Sequence, residues 1–452
     1  MENMDSTVLA TSLPAIAADI GERPLALNLA LTSYLVGLAI FIPISGWVAD
    51  KYGSKKVFAW AIVVFLAGSI ACALSSSLTF FVIARFVQGI GGAMMVPVGR
   101  LVLLKSVPKN QLVQALNYLT FPALLGPVIG PPLGGLITQV FNWRGIFLIN
   151  VPISLLGIYL VIRYIPDIRE EDLAPLDIRG FFLLALGLAL TMLGLSALGG
   201  HLLPPIITGF SIAIGAAFLF GYWRHARTAK SPVIDLSVLQ YQTFRTAVVG
   251  GTLYRIGAGA TPFLLPLMFQ LGFGLDPLHS GLLTCTVAVG AMFMKTLTRL
   301  VLNRYGFRRV LIVNSIIASI GMALYGAFTA QTPHWVVISV LVATGLSRSL
   351  QFTALGAIGF ADIGKALMSQ ASSLQSMTLR LAQSIGVAVG AYALELSSLL
   401  QNHTHVVASD FWPAFVVSGL IALVSVFYNL ALPVNAGAEL AGKVEKKETT
   451  VV

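Results

Sequence analysis

From Ala26 to Ala49 the chain reads ALNLALTSYLVGLAIFIPISGWVA, 24 residues without a charged side chain. A run of that length, in a helix, crosses the ~30 Å hydrocarbon core of a bilayer. Runs of this kind recur to the end of the chain and show no strict apolar–polar alternation, which argues against barrel strands. In lipid every backbone polar group must be satisfied within the segment, so helices remain. The composition agrees. Hydrophobic residues make up 57% and charged residues 10% of 452, against about 25% charged in a typical soluble domain. The fold class expected is an all-α integral membrane protein.

Breaks at Gly, Pro and charged residues divide the chain into thirteen apolar segments after residue 26, among them 178–199, 205–223, 244–271 and 280–299. Twenty-one bases, including Lys51, Lys55, Lys56, Lys295 and the tail lysines, fall on one side, against Arg23 and Arg144 on the other. Short basic loops stay cytoplasmic, so that side and the C-terminus are expected inside a bacterial inner membrane. The formal charge of +10 is accounted for by these loops, and no nucleic-acid partner is expected. The first segment, MENMDSTVLATSLPAIAA, is short and carries Glu2 and Asp5. It is expected to be the second half of a span whose first half lies upstream, giving fourteen spans.

A basic phrase occurs twice: DKYGSKKV at 50–57 and NRYGFRRV at 303–310. The offset is eight spans, where two six-span halves would give six. Spans 7 and 8 are then an insertion between duplicated halves. The division expected is residues 1–165 for the first six-helix bundle and 166–243 for the two extra spans with their linker. The second bundle takes 244–433 and a cytoplasmic tail 434–452. Duplicated halves in a helical membrane protein point to a secondary transporter with its site between the repeats. Gly53 and Gly306 are expected to permit tight reversals.

GWVADKYGSKKV resembles the loop signature of the major facilitator superfamily, with Gly46, Asp50, Gly53 and Lys55 on its motif positions. ARFVQGIGGA resembles a second family motif through Arg85, Gln88, Gly89 and Gly92. LLGPVIGPPLGG resembles the antiporter motif through Gly126, Pro127, Gly130, Gly134 and Gly135. MDSTVLATSLPAI resembles the first span of the fourteen-span drug:proton antiporters, the EmrB/QacA-like group, through Asp5, Thr7, Val8, Leu13 and Pro14, and FNWRGIFLINVPI fits the same group. Asn303 departs from the pattern at the position matching Asp50. The resemblance implies a proton-driven efflux antiporter of small molecules or drugs, working as a monomer without a cofactor, with membrane lipid around it. It also implies a seal and hinge at the glycine-rich fifth span, and a cavity lined by the first, second, fourth and fifth helices of each half.

Charges inside spans are functional suspects because each costs at least ~2.5–3.5 kcal/mol to insert. Arg85 and Arg100 lie in span 4, Arg255 in span 9, Arg348 in span 12 and Arg380 in span 13. Arg100 falls at the cytoplasmic end, where it is expected to snorkel or pair with Asp50. Asp5 and Arg85 are assigned to proton coupling; Arg255, Arg348, Arg380 and Gln88 to the substrate cavity. A carboxylate enclosed in an apolar cavity suits proton exchange near neutral pH. Counted from the outer ends of their spans, Asp5 lies ~10 Å deeper than Arg85, so the two are expected not to touch and to communicate through water. Three midplane arginines against one acid favour, as an alternative cargo, an anionic metabolite such as citrate or a metal–carboxylate chelate. No histidine falls inside a span and GFADIGK at 359–365 lacks the Ser or Thr of a phosphate loop. Enzymatic and ATP-driven readings are therefore set aside.

Overall fold

The computed structural model describes residues 2–106, 112–170, 173–198, 204–364, 367–403 and 405–438, and the side chains of these except residues 2, 3, 100, 104–124 and 369. The side chains of Arg100 and Lys105, the bases at 109 and 365, and the tail from 439 onward lie outside the described residues.

The first six long helices are α1 (Glu2–Ile20), α2 (Asn28–Tyr52), α3 (Ser54–Ala73), α4 (Leu78–Ser106), α5 (Leu112–Val140) and α6 (Asn150–Tyr164). Then come α7 (Ile178–Leu198) and α8 (Pro205–Ala226). The last six are α9 (Gly251–Leu267), α10 (Pro277–Tyr305), α11 (Phe307–Tyr325), α12 (His334–Ile358), α13 (Met368–Leu400) and α14 (Phe411–Leu430). Eleven of the described helical segments are long and apolar enough to cross a membrane by length and composition. The acid-bearing α1, the proline-rich α5 and α9 complete the fourteen. Wide π-helical turns at Thr246–Gly250 and Met268–Gly272 flank α9 and extend it to span length.

The two basic phrases behave alike in the backbone. Gly53 ends α2 at φ +95° and Gly306 ends α10 at φ +77°, a region that glycine enters without a Cβ clash. On the opposite face, α10 starts at an Asp276 cap whose carboxylate accepts the His279 N–H, with Pro277 in the first turn. This helix is longer than the sequence segment 280–299, continuing to Tyr305. Lys295, counted from sequence with the cytoplasmic bases although it falls within the segment 280–299, lies inside α10, ten residues or ~15 Å before its end.

Helix packing repeats eight helices on. α4 packs on α2 and α3, α5 on α1, and α6 on α3; α12 packs on α10 and α11, α13 on α9, and α14 on α11. The contacts that join the two sets, α5 with α10 and α2 with α13, exchange under the same shift. α7 and α8 pack on each other, and α7 lies against both α2 and α13, across the seam between the sets. Asn28 Nδ2 donates to the Ser196 carbonyl and Ser196 Oγ to Asn28 Oδ1, tying α7 to the start of α2.

The glycines of the fifth helix explain how close these contacts are. A Cβ on Gly134 would stand 2.5 Å from the Val8 carbonyl oxygen, and one on Gly135 would stand 2.3 Å from that of Pro277. A Cβ on Gly281 would meet the Pro131 carbonyl at 2.3 Å. Here α5 touches α1 on one face and α10 on another, with backbone against backbone.

Candidate functional site: a buried acid behind a basic cavity

Asp5, Arg85 and Gln88, which come from α1 and α4, meet in one hydrogen-bonded cluster. Arg85 Nη1 donates to Asp5 Oδ2 at 2.6 Å and also to the Gln88 carbonyl oxygen. Gln88 Nε2 donates to Asp5 Oδ1 at 2.8 Å and to Ser69 Oγ at 2.7 Å. Asn150, at the start of α6, donates to Asp5 Oδ1 and to Ser69 Oγ, both at 3.2 Å. Asp5 is 5% exposed, Arg85 and Gln88 0%, so an ion pair stands in the interior with two amides donating to its carboxylate. Tyr34 and Phe147 present their rings to the guanidinium, with centroids 4.4 and 6.0 Å from Arg85 Cζ. The Nε and Nη2 of Arg85 have no acceptor among the described residues.

This contact corrects the sequence expectation that Asp5 and Arg85 stand ~10 Å apart in depth. The reason lies at the outer ends. Arg144 binds the Asp19 carboxylate at 2.7 Å and the Ser75 carbonyl at 3.2 Å, which puts Asp19 and Ser75 on one level. From there α1 descends ~21 Å to Asp5. The other chain has the non-helical residues 75–77, which can span up to ~10 Å, before α4 adds ~10 Å to Arg85. Counting from helix ends alone omitted that connecting segment.

Arg85 is also part of a cavity wall. A cavity of about 390 Å³ lies between α1, α2, α4 and α5 on one side and α9, α10, α12 and α13 on the other. Its charged lining consists of Arg85, Lys295, Arg348 and Arg380, and no Asp or Glu lines it among the described residues. Phe263, Phe352, Met292 and the prolines 127, 131, 262 and 266 supply much of the apolar wall. Asp5 and Gln88 do not line the cavity; they sit behind Arg85. Arg255 does not line it either: it is buried, with Nη1 donating at 3.4 Å to the Ala247 carbonyl in the wide turn ahead of α9. Arg255 and Arg348 both approach the Phe352 ring, at 5.7 and 5.6 Å from its centroid. Sequence reasoning missed Lys295, Ser69 and Asn150. Asn150 had a signal, an amide opening the apolar run NVPISLLGIYLVI. Ser69 had none.

Other motif residues are placed as follows. Gly126 and Gly130 face α1: Thr7 Oγ1 donates to the Gly126 carbonyl at 3.4 Å, and a Cβ on Gly130 would collide with that hydroxyl group. Pro127 lines the cavity. Around the first basic phrase, residues 166–170 cross over Gly53, with Ser54 N–H donating to the Ile168 carbonyl and Glu170 N–H to that of Asp50. Gly46 has open space where a Cβ would stand, and Lys55 is partly buried in the first turn of α3. At the opposite face Arg23 makes a two-pronged ion pair with the buried Glu395 of α13, at 2.6 and 2.7 Å.

The sequence profile of the Major Facilitator Superfamily matches residues 1–387. The chain is a member of that superfamily. It is 36% identical over 440 residues to a Pectobacterium atrosepticum protein that carries the multidrug resistance name MdtD, covering 96% of this chain and 93% of that one. An Escherichia coli O157:H7 protein with the same name is 36% identical over 434 residues, covering 96% and 90%. Solved structures share the fold at low identity. A POT family transporter in complex with 5-aminolevulinic acid superposes with a TM-score of 0.70 at 15% identity, covering 94% of this chain and 93% of that one. A D-xylose–proton symporter gives 0.68 at 14%, covering 96% and 95%. As a superfamily member the chain is a multi-pass membrane transporter.

Proposed function

We propose that this transporter is a proton-coupled exporter of small organic molecules, exchanging them for protons across the bacterial inner membrane with its basic face in the cytoplasm. One observation carries the reading: Asp5 is bonded to Arg85, and Arg85 is also a wall of the cavity. An ionised Asp5 can accept from Arg85, Gln88 and Asn150 together. Protonation of Asp5 removes the charge that neutralises Arg85, and the cavity gains one positive charge. A cargo that tolerates the neutralised arginine is then disfavoured, so cargo and proton compete. In this reading residues 1–165 and 244–433 form the two moving bundles and 166–243 adds α7 and α8 at their seam. The close α5–α10 contact is the seal.

The names of the relatives support drug efflux. A second reading rests on the four bases in the cavity wall: the cargo is an anion such as citrate or a metal–carboxylate chelate, and drugs are poor substrates. The two readings differ in sign. A cation is repelled by the freed Arg85 and its binding expels the proton. An anion is drawn to the freed Arg85 and recruits a proton to Asp5, so exchange of anions for protons would not run through this pair. Uptake of labelled citrate and of a cationic dye into inverted vesicles with an imposed pH gradient tests both. Dye uptake that requires Asp5 supports the first reading. Citrate uptake that requires Arg348 and Arg380, with little dye uptake, supports the second. Neither cargo responding to the gradient would overturn proton coupling.

A further inference from the structure

A second concavity lies outside the central cavity. At the basic face a groove of about 530 Å³ runs between α2, α3 and α4. Its floor is apolar, including Val64 and Ile90, and Trp60 stands on its wall with 67% of its surface exposed. Lys51, Lys56 and Arg169 line the same groove. Lys51 lays its ammonium over the Trp47 ring, 4.6 Å from the centroid, and no carboxylate forms an ion pair with Lys51 or Lys56 among the described residues. Arg169 is held at 3.2 Å by Asp167, so the two lysines set the net charge. The backbone at Arg169 is held in place, because the crossing segment is bonded on either side of it, Ile168 to Ser54 and Glu170 to Asp50.

An apolar groove on a membrane-facing surface, capped by bases and edged by tryptophan, matches a phospholipid in both of its parts. The floor suits an acyl chain, and the bases suit a negatively charged headgroup at the interface. We infer that this groove holds one anionic phospholipid, its phosphate among Lys51, Lys56 and Arg169 and a chain along Trp60, Val64 and Ile90. The second basic phrase lacks the arrangement. Gly306 has nothing within 4 Å of its Cβ position, where Gly53 has the crossing segment. The lipid site is therefore built on one copy of the repeat alone, directly beneath the loop that joins α2 to α3.

The test uses the full chain in phosphatidylcholine vesicles containing a minor fraction of brominated phosphatidylglycerol or brominated phosphatidylcholine, with tryptophan emission as readout. The wild type is expected to be quenched preferentially by the phosphatidylglycerol, and Trp60→Phe to remove that preferential component. Lys51→Gln and Lys56→Gln are each expected to lower the preference about fivefold. Arg304→Gln and Arg309→Gln, at the second phrase, are expected to leave it unchanged. Equal quenching by the two lipids in the wild type, a preference that survives Trp60→Phe, or equal losses at both phrases would overturn the site.

Discussion

Arg85–Gln88 on α4 and Arg348–Gln351 on α12 are the same dyad, an arginine and a glutamine one turn apart, in helices that match under the eightfold shift. Their surroundings differ. Arg85 meets an acid, and Gln88 helps to hold that acid. Arg348 has no carboxylate partner among the described residues, and Gln351 is spent on neutral contacts. It donates to Ser315 Oγ at 2.7 Å and accepts from Asn314 Nδ2 at 2.9 Å. The glycine seams set the register between the two copies. Gly130 packs on Met4 and Thr7 as Gly386 packs on Ile256 and Gly259, and Gly134 on Val8 as Gly390 on Ala260. On that register the place of Asp5 falls to Gly257, whose Cβ position lies 2.2 Å from the Ser418 carbonyl. A carboxylate has no room there. One copy thus carries an arginine paired with a buried acid, and the other an arginine with no carboxylate beside it among the described residues.

If the two copies divide the work in this way, substitutions should separate them. The largest effect is expected for Asp5→Asn, with proton-driven transport falling at least about a hundredfold in vesicles, since the group that carries the proton is gone. Arg348→Gln should keep the response to the gradient and change cargo affinity instead. Next comes stability. Arg85→Gln strands a buried carboxylate and is expected to cost about 3–5 kcal/mol, read by thermal denaturation in detergent. Asp5→Asn/Arg85→Gln should recover most of that loss, and Arg348→Gln should cost under about 1 kcal/mol. A smaller contrast lies in the seams. Gly386→Ala brings a Cβ to 2.2 Å from a backbone oxygen, whereas Gly130→Ala meets the Thr7 side chain, so the second should lose less of an expected 1–3 kcal/mol (roughly). Gly46→Ala, facing open space, should shift stability by less than about 0.5 kcal/mol.

Much of this was legible in the chain. Fourteen apolar segments, the repeat of DKYGSKKV in NRYGFRRV and the two extra helices all follow from hydropathy and spacing, because lipid leaves the backbone few alternatives. Asp5, Arg85, Arg348 and Arg380 were also visible, since a charge in a span is rare enough to stand out. Their mutual geometry was not. The Asp5–Arg85 bond depends on how the Ser75–Ser77 segment descends, which no periodicity records. Arg255 and Arg348 look equivalent in sequence, yet a wide turn gives Arg255 a backbone carbonyl away from the cavity while Arg348 faces into it. Lys295 was counted with the cytoplasmic bases because it falls in the last turns of the segment 280–299, and hydropathy does not show that its helix runs on to Tyr305. Long Lys side chains tolerate the boundary of a span, which blurs that edge.

The central claim is that Asp5 gives up or takes its proton according to what touches Arg85. Proton movement on cargo binding measures this directly, in weakly buffered detergent solution with a pH indicator. Addition of a cationic dye to the wild-type protein is expected to release protons, and Asp5→Asn to abolish the release while Arg348→Gln preserves it. Proton release that persists in Asp5→Asn would contradict the account.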